Sequence, residues 1–303
     1  MPEGRLTRFR GEQMIKTLYR KILIPTDGSD NTKAAIGYAI DLARQSGAEV
    51  TAISVNDISN YATIPGEPDI QSPLYQASKE AVQYVIETAA AQGVHVEGMV
   101  VDGIPKRDIV EASKDYDLIV MGTIGRSGLP HLLLGSVAEK VIRNARCPVL
   151  VVRAGSVRPV FKCERVLIPS DGKDNSLPAV KEGLELAKAC GAEVTALSVS
   201  DEAGKAIGAK GRNEGDASPA EAAVDQVVEE GKKLGISVTR RLVIGSPADV
   251  IIDASAEQDL VVMGTHGRSG LAHLRLGSVA EKVIRGARCP VLVVKAGSSR
   301  RKA

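Results

Sequence analysis

Two stretches of this chain hold residues able to do chemistry, at matched spacing. Gly122-Thr-Ile-Gly125 is followed after nine residues by Gly135-Ser136, and Gly264-Thr-His-Gly267 is followed after nine by Gly277-Ser278. Glycine allows a backbone to approach a ligand closely and to adopt positive φ. Ser136 precedes Val137-Ala-Glu139, and Ser278 precedes Val279-Ala-Glu281, so both read as Ser-x-x-Glu capping boxes at a helix start. A helix start leaves N–H groups without intrahelical partners. It also carries a partial positive charge of roughly +0.5. Phosphate suits such a place, and Arg126 and Arg268, each following the second glycine, would add charge-assisted bonds. Read without other information, the same residues also fit an ordinary glycine loop and helix cap. Neither copy has the Gly-x4-Gly-Lys-Ser/Thr of a P-loop or the Gly-x-Gly-x-x-Gly of a dinucleotide fold.

Asp27 and Asp171 are the second pair of candidates. Each follows a short apolar run, Lys21-Ile-Leu-Ile-Pro25-Thr26 and Arg165-Val-Leu-Ile-Pro169-Ser170. An acidic residue there accepts hydrogen bonds from ribose hydroxyls or helps to hold a metal. As half of an Asp-Gly pair it is equally a turn residue.

The elements that must position these groups are legible in order. The apolar run 21–26 reads as a buried strand. Residues 31–46 place Ala35, Ile36, Ala39, Ile40, Leu42 and Ala43 on one helical face, with Gly47 as the stop. Strands at 49–55, 94–101, 118–121 and 147–152 then alternate with helices at 74–92, 104–115 and 137–144. Such alternation implies a parallel sheet with right-handed crossovers. The expected fold class is α/β: an open five-stranded parallel sheet of order 3-2-1-4-5 with helices on both faces. In that order the ligand crevice opens between strands one and four, where the order reverses. Asp27 then lies beside Gly122, and Asp171 beside Gly264.

The whole unit occurs twice. Gly47-Ala-Glu-Val-Thr-Ala-Ile-Ser-Val55 returns as Gly191-Ala-Glu-Val-Thr-Ala-Leu-Ser-Val199. Residues 126–156 and 268–298 differ at four positions, so this is duplication of a whole domain. The expected division is a tail at 1–20, a domain at 21–155, a linker at 156–163, a second domain at 164–298 and a tail at 299–303. Ordered structure is expected to begin shortly after Met14. The connections at 56–72 and 200–217 differ most between the copies and are the expected seat of partner specificity.

Bulk composition narrows the classes. The 39 basic and 37 acidic residues nearly balance, and the excess of Arg and Lys lies in the tails, which leaves the body slightly acidic. A nucleic-acid groove would place its basic residues in the body, so no nucleic acid is expected. No apolar run approaches the roughly 18 residues of a membrane span, and the N-terminus lacks a signal-peptide core. Cys147, Cys163, Cys190 and Cys289 form no Cys-x-x-Cys. Cys147 and Cys289 read as small buried apolar residues, and a reducing, cytoplasmic setting is expected. Aromatic residues make up 3% of the chain, so the core must be aliphatic.

Pro25-Thr26-Asp27-Gly-Ser, Pro169-Ser170-Asp171-Gly, the paired glycine loops and the closing Cys-Pro-Val-Leu-Val-Val runs resemble the universal stress protein family. The resemblance covers both halves, and the loop resembles that of the ATP-binding branch. It implies an adenine-nucleotide alpha-hydrolase-like fold and ATP as cofactor, with magnesium as its accompanying ion. Asp27 and Asp171 would then contact ribose, and the main chains of Val55 and Val199 would meet adenine. Gly122, Gly125, Arg126, Gly135, Ser136 and Val137 would line the phosphates in the first half. Gly264, Gly267, Arg268, Gly277, Ser278 and Val279 would do so in the second. Pro25, Thr26 and Met121, like Pro169, Ser170 and Met263, flank these sites. The family usually places His between the first two glycines; His266 keeps it and Ile124 does not. The family also pairs domains through the last strand, which would join 147–152 to 289–294 within one chain and leaves a further homodimer open. Of the histidines, His95, His131, His266 and His273, none stands in a Ser-His-Asp or metal-ligand pattern. A nucleotide-binding stress or regulatory protein, an enzyme acting on ATP, and an interaction module with vestigial sites all remain open at this level.

Overall fold

The computed structural model describes residues 18–58, 72–125, 134–154, 160–200, 218–265 and 276–298. They form two compact units, Tyr19–Phe161 and Lys162–Gly297. The first runs β1 (Lys21–Pro25), α1 (Asp30–Ser46), β2 (Glu49–Asp57), α2 (Pro73–Ala90), β3 (Val96–Gly103), α3 (Pro105–Ala112), β4 (Leu118–Gly122), α4 (Ser136–Asn144) and β5 (Val149–Val152). The second runs β6 (Arg165–Pro169), α5 (Leu177–Cys190), β7 (Glu193–Ser200), α6 (Pro219–Lys233), β8 (Val238–Ile244), α7 (Pro247–Ala254), β9 (Leu260–Gly264), α8 (Ser278–Gly286) and β10 (Val291–Val294).

The strands of the first unit lie in the order β3-β2-β1-β4-β5, all parallel. Those of the second lie in the order β8-β7-β6-β9-β10, also parallel. Ile22, Leu23 and Ile24 of β1 and Ile119 and Val120 of β4 are fully buried, so the central strands are covered on both faces. Their counterparts Val166, Leu167, Ile168, Val261 and Val262 are buried likewise. This aliphatic core is the one the composition requires.

Helix α1 buries Ala35, Ile36, Ala39, Ile40, Leu42 and Ala43, the face its periodicity marks. Gly47 ends it at φ 68°, where its N–H donates to the Ala43 carbonyl at 2.7 Å. That left-handed cap is a position glycine takes without strain. Some element bounds shift by a residue or two from the sequence reading. β2 continues past Val55 to Asp57 because it keeps its pairing with β3 as far as Gly103. β4 includes Gly122, which pairs with Val152. Cys147 lies ahead of β5 rather than in it.

One buried carboxylate per unit ties together the two strands that flank the crevice. Asp117, just before β4, accepts hydrogen bonds from the N–H groups of Arg20 and Lys21 at 2.9 and 3.0 Å. Its own N–H donates to the Lys21 carbonyl at 2.9 Å. Asp259 repeats the clamp on Glu164 and Arg165 at 3.2 and 3.0 Å, with the Arg165 guanidinium 3.5 Å away. Replacing Asp117 or Asp259 by Ala removes a buried charged acceptor that two backbone N–H groups share. Each change should lower unfolding free energy by about 2–4 kcal/mol in urea denaturation.

None of the four cysteines is joined in a disulfide. Cys147 is buried as the sequence implies, whereas Cys289 is only partly so. Cys163 and Cys190 meet in the second unit. The hydrogen bond to Cys190 pushes the Cys163 thiol well up, and burial and the negative charge of Asp259 add to the shift. The thiolate is the reactive form, so a raised thiol is slow. Alkylation of the native protein at neutral pH should label Cys190 and Cys289 first. Cys147 and Cys163 should react only when the protein unfolds, as read by peptide mass spectrometry.

Candidate functional site

The site of the first unit is built at the carboxyl ends of β1, β2 and β4. Thr26 leaves β1 with its N–H on the Ile53 carbonyl at 2.9 Å, which holds the following turn beside β2. Within the turn the Thr26 hydroxyl accepts from Gly28 N–H at 3.2 Å, and Asp27 Oδ1 accepts from Ser29 N–H at 3.0 Å. The carboxylate of Asp27 is thereby oriented by the backbone. Its other oxygen lies beside Gly125: a Cβ there would come 2.3 Å from Asp27 Oδ2. Gly122 is close to the backbone of α1, where a Cβ would lie 3.0 Å from the Asn31 carbonyl. Asn31 in turn donates from Nδ2 to the Gly125 carbonyl at 3.3 Å.

The start of α4 completes the site, with a correction. Ser136 and Ser278 do not cap their helices. Gly135 and Gly277 take the cap positions with extended backbone (φ −76°, ψ 154° and φ −60°, ψ 139°), and the two serines are the first helical residues. Neither cap makes a side-chain hydrogen bond, because glycine has no side chain. Glu139 and Glu281 pair instead with Arg143 and Arg285, one turn along, at 3.7 and 2.6 Å. The capping box that does form is Ser218 with Glu221 at the start of α6. Gly135 N–H is used by the Thr123 carbonyl at 2.7 Å, and Gly277 N–H by that of Thr265 at 2.9 Å. The N–H groups of Ser136, Val137 and Ala138 then have no acceptor among the described residues. The helix end therefore presents bare donors where a side chain was expected.

These pieces enclose a cavity of about 300 Å³, a volume within the range of small-molecule sites. Pro25, Thr26, Asp27, Val55, Met121, Gly122, Gly125, Gly135, Ser136 and Val137 all line it. Every one of the residues singled out in the first half is thus brought together, apart from Arg126, which lies outside the described residues. Ile124 also lines the cavity. Sequence reasoning missed Asn56, Leu74, Ser78, Pro105 and Ile109, which wall it from β2, α2 and α3. The usable signal was Pro105 at the first turn of α3, which fixes where that helix begins beside the strand ends.

The second unit repeats the turn. Ser170 N–H donates to the Leu197 carbonyl at 2.9 Å, and Asp171 Oδ1 accepts from Lys173 N–H at 3.2 Å. Asp171 Oδ2 is buried with no hydrogen-bond partner among the described residues. Gly172, at φ +75°, lies against α6: a Cβ there would be 3.0 Å from Ala223 Cβ. Pro169 ends β6, Val199 lies in β7, Met263 and Gly264 end β9, and Gly277, Ser278 and Val279 begin α8. Gly267, Arg268, His266 and both loop histidines, His131 and His273, lie outside the described residues. So do nearly all of the connections at 56–72 and 200–217. Among the described residues no cluster of three or more His, Cys, Asp or Glu stands together, so the magnesium expectation gains no protein ligand set there. None of the described helices is long and apolar enough to cross a membrane.

The family model for the universal stress protein family matches residues 18–153 and again 162–295. The chain belongs to the universal stress protein family. It carries the domain of that family twice, in tandem. A universal stress protein of Methanocaldococcus jannaschii is 46% identical over 143 residues, covering 46% of this chain and 84% of that protein. A universal stress protein of Mycobacterium tuberculosis is 29% identical over 295 residues, covering 90% of this chain and 96% of its own. The crystal structure of a universal stress protein from Archaeoglobus fulgidus is similar over 91% of this chain and 98% of that one, with a TM-score of 0.70 at 25% identity.

The close approaches at the two glycines differ in kind. Gly122→Val drives side-chain atoms against the α1 backbone and should cost about 1–3 kcal/mol of stability. Gly125→Ala meets only the tip of the Asp27 side chain, which can turn away. Its unfolding midpoint should stay close to that of the parent, and the two denaturation curves together check the geometry.

Proposed function

We propose that each domain binds an adenine nucleotide, ATP foremost, at the carboxyl ends of its central strands, and that the protein acts in stress response or regulation in the cytoplasm. The observation that carries the reading is the cavity of about 300 Å³ that gathers Asp27, Gly122, Gly125 and the bare N-terminus of α4. Family membership supports it, since the loop resembles that of the ATP-binding branch.

In this reading the phosphates lie on the N–H groups of Ser136, Val137 and Ala138, where donors are fixed and the helix dipole favours negative charge. Arg126 adds charge from the preceding loop. Asp27, held by Ser29 N–H, accepts from ribose hydroxyls. The end of β2 at Val55 offers main-chain groups to adenine. Pro25, Thr26 and Met121 supply the walls. In the second domain Asp171, Val199, Gly264, Gly267, Arg268, Gly277, Ser278 and Val279 take the same parts, flanked by Pro169, Ser170 and Met263. The unpartnered Asp171 Oδ2 is a buried acceptor that a ribose hydroxyl would satisfy.

The test uses the whole chain. Protein purified without added nucleotide, then denatured, should release adenine nucleotide detectable by mass spectrometry. Titration calorimetry should show ATP binding that falls at least about tenfold when Asp27 and Asp171 are both changed to Ala. Absence of any released nucleotide together with no heat on adding ATP overturns the reading.

A further inference from the structure

At the ends of the paired strands β2 and β3 the first half carries residues that the second half does not. Asn56 and Asp102 are register partners on the neighbouring strands β2 and β3, so their side chains leave the sheet on the same face. Asn56 Nδ2 donates to Asp102 Oδ1 at 2.8 Å. Asn56 is 7% exposed and lines the cavity, one residue beyond Val55.

This contact settles the orientation of the amide. The oxygen and nitrogen of an Asn side chain are interchangeable in shape, and only the hydrogen-bond network decides between them. A carboxylate accepts and does not donate. Asp102 therefore takes the NH2 end of Asn56, and the carbonyl Oδ1 is the end left over. No donor among the described residues meets it. The result is an oriented acceptor at the end of β2, held by a second residue that does not itself line the cavity.

The second half has no such pair among its described residues. The register partners there are Ser200 and Ile244. A serine hydroxyl is donor and acceptor at once and rotates to suit, and Ile244 offers nothing to fix it.

We propose that the first site reads the nucleobase through Asn56 Oδ1, with Asp102 as the positioning residue, and selects a base that presents an exocyclic amino group over one that presents a carbonyl oxygen there. The contrast is adenine against hypoxanthine. An amino group donates to Oδ1, whereas a carbonyl oxygen faces it acceptor to acceptor. The second site lacks this reader and discriminates only as far as main-chain contacts allow. The inference rests on the nucleotide-binding reading above and goes beyond it in assigning base choice to one half.

The test is calorimetric titration of the intact chain with ATP and with inosine triphosphate. The second site is disabled by Asp171→Ala with Gly277→Val, and folding is checked by thermal melting. Main-chain contacts are common to both halves, so the readout is the change in the ATP-to-inosine-triphosphate affinity ratio. The parent first site should prefer ATP by about tenfold or more. Asn56→Ser, which installs the residue of the second half, should collapse the preference mainly by weakening ATP. Asp102→Asn, which keeps the shape but can donate, frees the amide to turn and should collapse it mainly by strengthening inosine triphosphate. A purely structural role would move both ligands together and leave the ratio unchanged. An unchanged ratio in both variants, or equal binding by the parent, overturns the inference while leaving nucleotide binding intact. Failure of either nucleotide to bind the parent chain overturns the nucleotide reading itself.

Discussion

An α-helix leaves the N–H groups of its first turn unpaired unless something outside the helix accepts them. At α4 and α8 nothing in the protein does so among the described residues. Gly135 and Gly277 occupy the cap positions and bring no side chain. Their own N–H groups are spent on the carbonyls of Thr123 and Thr265, which fixes the return of the loop onto the strand end. The donors of the first helical turn therefore face the crevice in a fixed direction. Everything else about the site serves to place other groups around them.

The sheet does that placing. With β1 and β4 adjacent and their crossovers on opposite sides, the carboxyl ends of the two strands part, and the crevice opens between them. Asp117 and Asp259 hold the opposite ends of the same strand pairs by bonding to backbone N–H groups. The crevice is thus pinned at its foot and open at its mouth. Asp27 and Gly125 then come so near that only glycine fits at position 125 without moving the carboxylate.

Much of this was legible from residues alone, for definite reasons. Strands buried on both faces are continuous apolar runs, and Lys21–Pro25 and Leu118–Gly122 read that way. Alternation with helices gave the parallel order. The helix cap was misread because Ser-x-x-Glu specifies a spacing and not which residue has extended backbone; the glycine one place earlier takes that position. The walls contributed by α2 and α3 were missed because apolar residues facing a ligand and apolar residues facing a core look the same in sequence. The Asn56–Asp102 contact was out of reach for another reason: the residues are 46 apart and meet only through strand register.

Duplication has kept the backbone of the site and varied its fittings. Asn56 with Asp102 stands where the other half has Ser200 with Ile244, and Ile124 stands where it has His266. Both halves share, however, the uncapped helix N-terminus that we propose holds the anionic end of the ligand. Amide-resolved NMR of the intact chain during ATP titration tests that proposal most directly. The amide resonances of Ser136, Val137 and Ala138, with those of Ser278, Val279 and Ala280, should shift together as the sites fill. ATP binding by calorimetry with these amides unmoved, and shifts confined to another surface, would contradict it.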